Sequence, residues 1–207
     1  MLKNLKKILV IVQSVPDVDE TIFNLNADWK EFYRYVVEEY PRRISDPLGR
    51  PVYVGCFVDT EHGGNVITSR LQSRILLFVN NVLITFFIKR QNTVKSSMFG
   101  PELVALSITR YIIVEVRIKL KMFGVPLTGP EILFCDNNGI VNNTSIPEYT
   151  LSGKHSVIDY HYVREAAADG ILSVGKEDTT MNPADPLTNF FPYSRNKNFL
   201  YLFFTTI

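Results

Sequence analysis

Residues 131–138 read EILFCDNN, an apolar run that stops abruptly in an acid and two amides. Ile132, Leu133 and Phe134 have the composition of a buried strand, so Asp136 falls at that strand's carboxyl end. Open α/β sheets place their ligand sites there, which makes Asp136 the first candidate site residue. A second stretch has the same form. PVYVGCFVDTEHGG, residues 51–64, is apolar through Val52, Val54, Cys56, Phe57 and Val58 and breaks at Asp59, Glu61 and a Gly63-Gly64 turn. An Asp after a strand is often only a turn former. Two strands that each end in Asp could also hold a divalent cation between them, since magnesium prefers carboxylate oxygens and water.

The chain has 207 residues, 46% hydrophobic, enough for a full core in one domain. Its formal net charge is +1, so nucleic-acid binding would have to rest on local patches. Cys56 and Cys135 both lie in strand-like runs and read as buried thiols. No paired Cys/His spacing suggests zinc. Lys3, Lys6 and Lys7 before Ile8–Val12 imitate a signal peptide, but the apolar run is shorter than the ~7–15 residues required. Phe199–Phe204 is far below the ~20 residues of a membrane helix, so no membrane partner is expected.

In chain order, Trp29, Phe32, Tyr33, Val36, Val37 and Tyr40 recur at helical spacing, ended by Pro41. Pro47, Gly49 and Pro51 mark a boundary, which gives an N-terminal extension over 1–50, a main domain over 51–190 and an apolar tail over 191–207. Strands are predicted to Asp59, over Ile75–Val79 and over Val82–Ile88. Asn80-Asn81 between the last two suits a tight hairpin. Leu103, Leu106, Ile113, Val116 and Leu120 recur at helical spacing between Gly100 and Phe123, with Gly124 as the stop. This helix would cross over to the strand before Asp136. A short helix over Asn138–Asn143, a helix over His155–Ala168 closed by Gly170, a strand over Ile171–Val174 and a helix over Ala184–Phe190 complete the order βββ-α-β-α-α-β-α.

Glu102 and Asp185 each stand at a predicted helix start, where a carboxylate ordinarily complements the helix dipole. Together with Asp59 and Asp136 they would form a four-carboxylate cage. Such a cage suits two ions ~3.5–4 Å apart that clamp an in-line phosphoryl displacement.

Five segments carry a family resemblance: FVDTEHGG; FFIKRQNTVKSS followed by PELVAL; ILFCDNNGIV; KHSVIDYHYVRE; and NPADPLT. In this order the chain resembles the ribonuclease H domain of copia-type LTR retrotransposon polyproteins, with features of a degraded copy. The resemblance implies a ribonuclease H-like α/β fold, a five-stranded mixed sheet with three antiparallel strands and then two parallel ones, flanked by helices. It implies catalytic and metal-binding carboxylates at Asp59, Glu102, Asp136 and Asp185, two Mg2+ (or Mn2+) ions, and hydrolysis of the RNA strand of an RNA/DNA hybrid. The partner it implies is the reverse transcriptase of the parent polyprotein, in an intracellular particle or the nucleus; no other stable protein partner is expected.

Lys89, Arg90, Gln91 and Asn92, with Lys154 and His155, are candidate binders of the nucleic-acid backbone, and Asn138 a candidate contact to a sugar edge. His161 reads as structural. Several positions depart from the family's pattern. Glu61 replaces an Asp, Arg74 a Gly and Asn189 a Lys; Pro101 precedes Glu102 and Pro186 follows Asp185. Pro101 requires the helix to begin at about Gly100 and would displace Glu102. Pro186 would turn Asp185 into a helix cap. These departures leave two other classes of reading: a catalytically impaired, nucleic-acid-binding remnant, or a structural module of the parent polyprotein.

Overall fold

The computed structural model describes residues 27–34, 46–61, 71–80, 82–91, 99–151, 156–178 and 182–184. Their elements run β1 (Val54–Glu61), β2 (Gln72–Val79), β3 (Val82–Arg90), α1 (Phe99–Met122), β4 (Glu131–Cys135), α2 (Asn138–Ser145), α3 (Val157–Ala168) and β5 (Leu172–Lys176). The strands form one sheet in the order β3-β2-β1-β4-β5. β1, β2 and β3 pair antiparallel, whereas β4 lies parallel to both β1 and β5. This is the five-stranded mixed sheet that the family resemblance implies.

The turns follow from local chemistry. Asn80 takes φ 52°, a left-handed conformation that Asn tolerates, and it closes the β2–β3 hairpin. Its side chain also accepts a hydrogen bond from the Tyr53 N–H at 3.2 Å. Gly124, at φ 73°, ends α1. β2 begins three residues earlier than predicted, at Gln72 rather than Ile75. Ser73 and Arg74 interrupt the apolar pattern, but the backbone ladder to β1 continues through both.

One face of the sheet carries the core. Val54, Cys56 and Val58 of β1, Ile75 and Leu77 of β2, Leu133 of β4 and Val174 of β5 pack with Leu103, Leu106 and Ile113 of α1, Ile140 of α2 and Val163 of α3. Each such side chain stabilises the fold by roughly 1.5–3 kcal/mol when fully buried. Both cysteines are free and buried, and burial pushes the Cys135 thiol up to about 12. On the opposite face Phe57 stacks on Phe134 with ring centroids 4.8 Å apart. Among the described residues no helix is long and apolar enough to cross a membrane.

Of the predicted Trp29–Tyr40 helix, the described part is a turn in which the Phe32 and Tyr33 N–H groups donate to the Trp29 carbonyl; residues 35–40 lie outside the described residues. That turn packs on α3. The Arg164 guanidinium lies 4.8 Å from the centre of the Trp29 ring, and its Nε donates to the Tyr33 hydroxyl at 3.2 Å. His161 Nδ1 shares a 2.7 Å hydrogen bond with the same hydroxyl. The predicted helix beyond Ala184 and the 191–207 tail lie outside the described residues.

Candidate active site

Parallel pairing of β1 with β4 sets the site. Phe57 and Phe134 are partners across that pair, so Asp59 and Asp136 each stand two residues further on (59 − 57 and 136 − 134), at the same end of the sheet. Glu102 comes to that end from the first turn of α1, because α1 packs on β1. Three of the four carboxylates that the sequence singles out therefore converge. Asp185, the fourth, lies outside the described residues, as do Asn92, Lys154 and His155.

Electrostatics record this convergence. Burial pushes the Glu102 carboxyl up to about 7; a hydrogen bond from Asn137 opposes the shift, and the nearby charges of Asp136 and Asp59 add to it. Glu102 Oε2 is buried and has no hydrogen-bond partner. Asn137 serves two elements at once, since its Oδ1 also accepts from the Gly139 N–H at 2.8 Å and caps α2. The second residue of the DNN run thus ties Glu102 to the helix that follows Asp136.

Pro101 does not exclude Glu102 from this cluster. α1 starts at Phe99, one residue before the predicted Gly100, which leaves Pro101 in the first turn, where its missing N–H costs nothing. Gln91 braces that turn: its Nε2 donates to the Pro101 carbonyl and to Ser73 Oγ, each at 2.8 Å. Gln91, expected as a binder of the nucleic-acid backbone, is only 3% exposed and turns its Nε2 inward. Its Nε2 is engaged inside the protein, while its Oε1 is buried without a hydrogen-bond partner. Lys89 and Arg90 are exposed at the end of β3, and Asn138 is exposed at the start of α2, all three open to a ligand.

Arg74 finds its room inside the fold. It stands opposite Asp59 in the β1–β2 ladder, is 3% exposed, and brings Nη1 to 3.7 Å from Asp59 Oδ2. Nearby, Asn182 Nδ2 donates to the Val58 carbonyl at 3.0 Å, which fastens residues 182–184 beside the Asp59 end of β1. Sequence reasoning missed the roles of Asn137, Gln91 and Asn182. Only Asn137 carried a signal, an Asn directly before a predicted helix.

Among the described residues no three His, Cys, Asp or Glu side chains close into a finished metal site. What Asp59, Glu102 and Asp136 offer is a set of hard oxygen donors, one of them with a buried and unsatisfied atom, and this chemistry fits a magnesium-type cation.

No family model matches the chain. It is 25% identical over 166 residues, 80% of its length, to the "Retrovirus-related Pol polyprotein from transposon RE1" of Arabidopsis thaliana. It is 26% identical over 147 residues, 71% of its length, to the corresponding polyprotein from transposon TNT 1-94 of Nicotiana tabacum. The chain spans about 11% of the length of these relatives. Among solved structures, the N-terminal RNase H domain of a Mycobacterium tuberculosis protein superposes with a TM-score of 0.51 at 12% identity, covering 71% of this chain and 98% of that one. The chain is thus similar to one segment of the retrovirus-related Pol polyproteins of plant transposons, and it has the ribonuclease H fold.

Proposed function

We propose that this protein hydrolyses the RNA strand of RNA/DNA hybrids, as the ribonuclease H of a copia-type retrotransposon, with residues 51–190 as the nuclease unit. The observation that carries the reading is the convergence of Asp59, Glu102 and Asp136 from three separate elements, with a Glu102 oxygen buried and unsatisfied. Burying a carboxylate oxygen without a partner is costly, and such an arrangement persists where a ligand supplies the missing interaction. Asp59, Glu102, Asp136 and Asp185 would hold Mg2+ or Mn2+, in two positions. When bound, such ions generate a nucleophile from water and stabilise the oxygens of an in-line displacement.

The chain's own residues supply the rest. Asn137 orients the Glu102 carboxylate, and Gln91 fixes the turn that presents it. Lys89 and Arg90 would neutralise phosphates at the open end of β3, and Asn138 would meet a sugar edge. Discrimination of the RNA strand would come through its 2′-hydroxyls, which DNA lacks. The other reading, a fold that binds nucleic acid without cutting it, is favoured by the Arg74 guanidinium beside Asp59.

The deciding experiment is cleavage of an end-labelled hybrid with Mg2+ and then Mn2+, against Asp136→Asn as the control for contaminating nuclease. Metal-dependent cutting of the RNA strand that disappears in the variant establishes the nuclease. Absence of cutting by folded protein that still retards the hybrid on a gel establishes the binding module.

A further inference from the structure

A permanent positive charge sits against one of the proposed metal ligands. Asp59 and Arg74 are directly opposite in the antiparallel β1–β2 pair, which puts both side chains on the same face of the sheet. Nη1 lies 3.7 Å from Asp59 Oδ2, and the two side chains are 4% and 14% exposed. A guanidinium does not lose its proton in a protein, so this charge cannot be titrated away. Water screens it little at such burial.

We propose that Arg74 is a built-in counter-ion of the site, which takes up part of the Asp59 charge and thereby weakens the hold on a divalent ion at the Asp59 side. The inference rests on the reading of Asp59 as a metal ligand. Two cations that share one carboxylate repel each other, and the one that is covalently part of the protein is always present. The divalent ion must therefore compete with it. The guanidinium is placed against Asp59, so the handicap falls on the Asp59 side of the cluster. Affinity for the ion becomes asymmetric across the site, and the concentration of divalent ion needed to fill both positions rises.

The test is Mn2+ binding to the full chain without nucleic acid, followed by the electron paramagnetic resonance signal of free Mn2+. Arg74→Gln removes the charge and keeps a polar group of similar reach. It should bind Mn2+ about tenfold more tightly than wild type, in keeping with one nearby unit charge in a partly buried setting. The gain should vanish in Arg74→Gln combined with Asp59→Asn. Equal or weaker binding by folded Arg74→Gln overturns the inference.

A second comparison needs no change at Arg74. In the wild-type background Asp59→Asn should cost less Mn2+ affinity than Asp136→Asn, because the Asp59 charge is already partly taken. A loss at Asp59 equal to or larger than that at Asp136 also overturns the inference. Hybrid cutting by the same wild-type sample keeps the two readings apart. Asp136-dependent cutting with unchanged Mn2+ affinity in Arg74→Gln removes the counter-ion and leaves the nuclease standing, whereas absence of Mn2+ binding in every form overturns both.

Discussion

Arg117 and Glu131 form a buried ion pair that fastens the long helix to the sheet: Nη1 donates to Glu131 Oε1 at 2.7 Å, and Oε2 of the same carboxylate accepts from the Val54 N–H at 2.6 Å. One side chain thus joins α1, the start of β4 and the start of β1. The geometry of the carboxylates at the far end of the sheet depends on that alignment, because β1 and β4 must keep their register for Asp59 and Asp136 to end together.

Removing one partner leaves the other charge buried and uncompensated. Arg117→Met should cost about 3–5 kcal/mol, measured by urea denaturation. Burial already raises the Glu131 carboxyl against the lowering effects of Val54 and Arg117, and loss of the guanidinium drives it higher still. A cost below about 1 kcal/mol would show that the pair contributes little to holding α1 on the sheet.

Glu102 makes stability depend on pH in a definite sense. Its folded-state carboxyl titrates at about 7 against an ordinary 4.5, so the metal-free fold binds this proton more tightly than the unfolded chain does. That contribution is fully present below 4.5 and is lost as the pH rises through about 7. Glu102→Gln does not titrate. In EDTA, the urea midpoint of the variant should gain on wild type steadily between those two values, and a difference that stays flat across the window refutes the assignment.

Gln91 holds the turn that presents Glu102. Gln91→Ala takes away the donor to the Pro101 carbonyl and to Ser73 Oγ. The expected loss is about 1–3 kcal/mol of stability, since buried acceptors lose their partner. If the nuclease reading holds, kcat for hybrid cleavage falls while KM changes little, because Gln91 lies inside the protein and touches no substrate. A rise in KM alone would restore Gln91 to the nucleic-acid surface.

Arg164 is the hub of the α3 side. Its guanidinium donates to the carbonyls of Asn143, Ile146 and Tyr149, at 2.7, 3.0 and 3.2 Å, and to that of Pro147. It also lies over the Trp29 and Tyr160 rings. Lysine cannot reproduce this planar fork. Arg164→Lys should therefore lower stability by at least about 3 kcal/mol, which corresponds to roughly 6–12 °C in melting temperature. A shift of a degree or two would mean that water replaces the lost donors.

The alternation of PVYVGCFVD, the apolar run before Asp136 and the helical spacing of Leu103, Leu106 and Ile113 are local features, and they were sufficient for element order and for the hairpin at Asn80, whereas the five-stranded mixed sheet followed from the family resemblance. Side-chain period identifies a strand or a helix within a few residues, so a reader of the chain needs nothing distant to find them. The acids at strand ends were legible for the same reason. Partners were not. That Arg74 would lie against Asp59, that Gln91 would turn inward to Pro101, and that Asn137 would reach Glu102 are contacts between segments separated in the chain, decided by the register of β1 with β2 and by the docking of α1. Which residues could form a site is legible along the chain. Tertiary structure alone decided which charges they meet there, because burial and charge proximity, which set the energy of an ionised group, exist only once the chain has closed on itself.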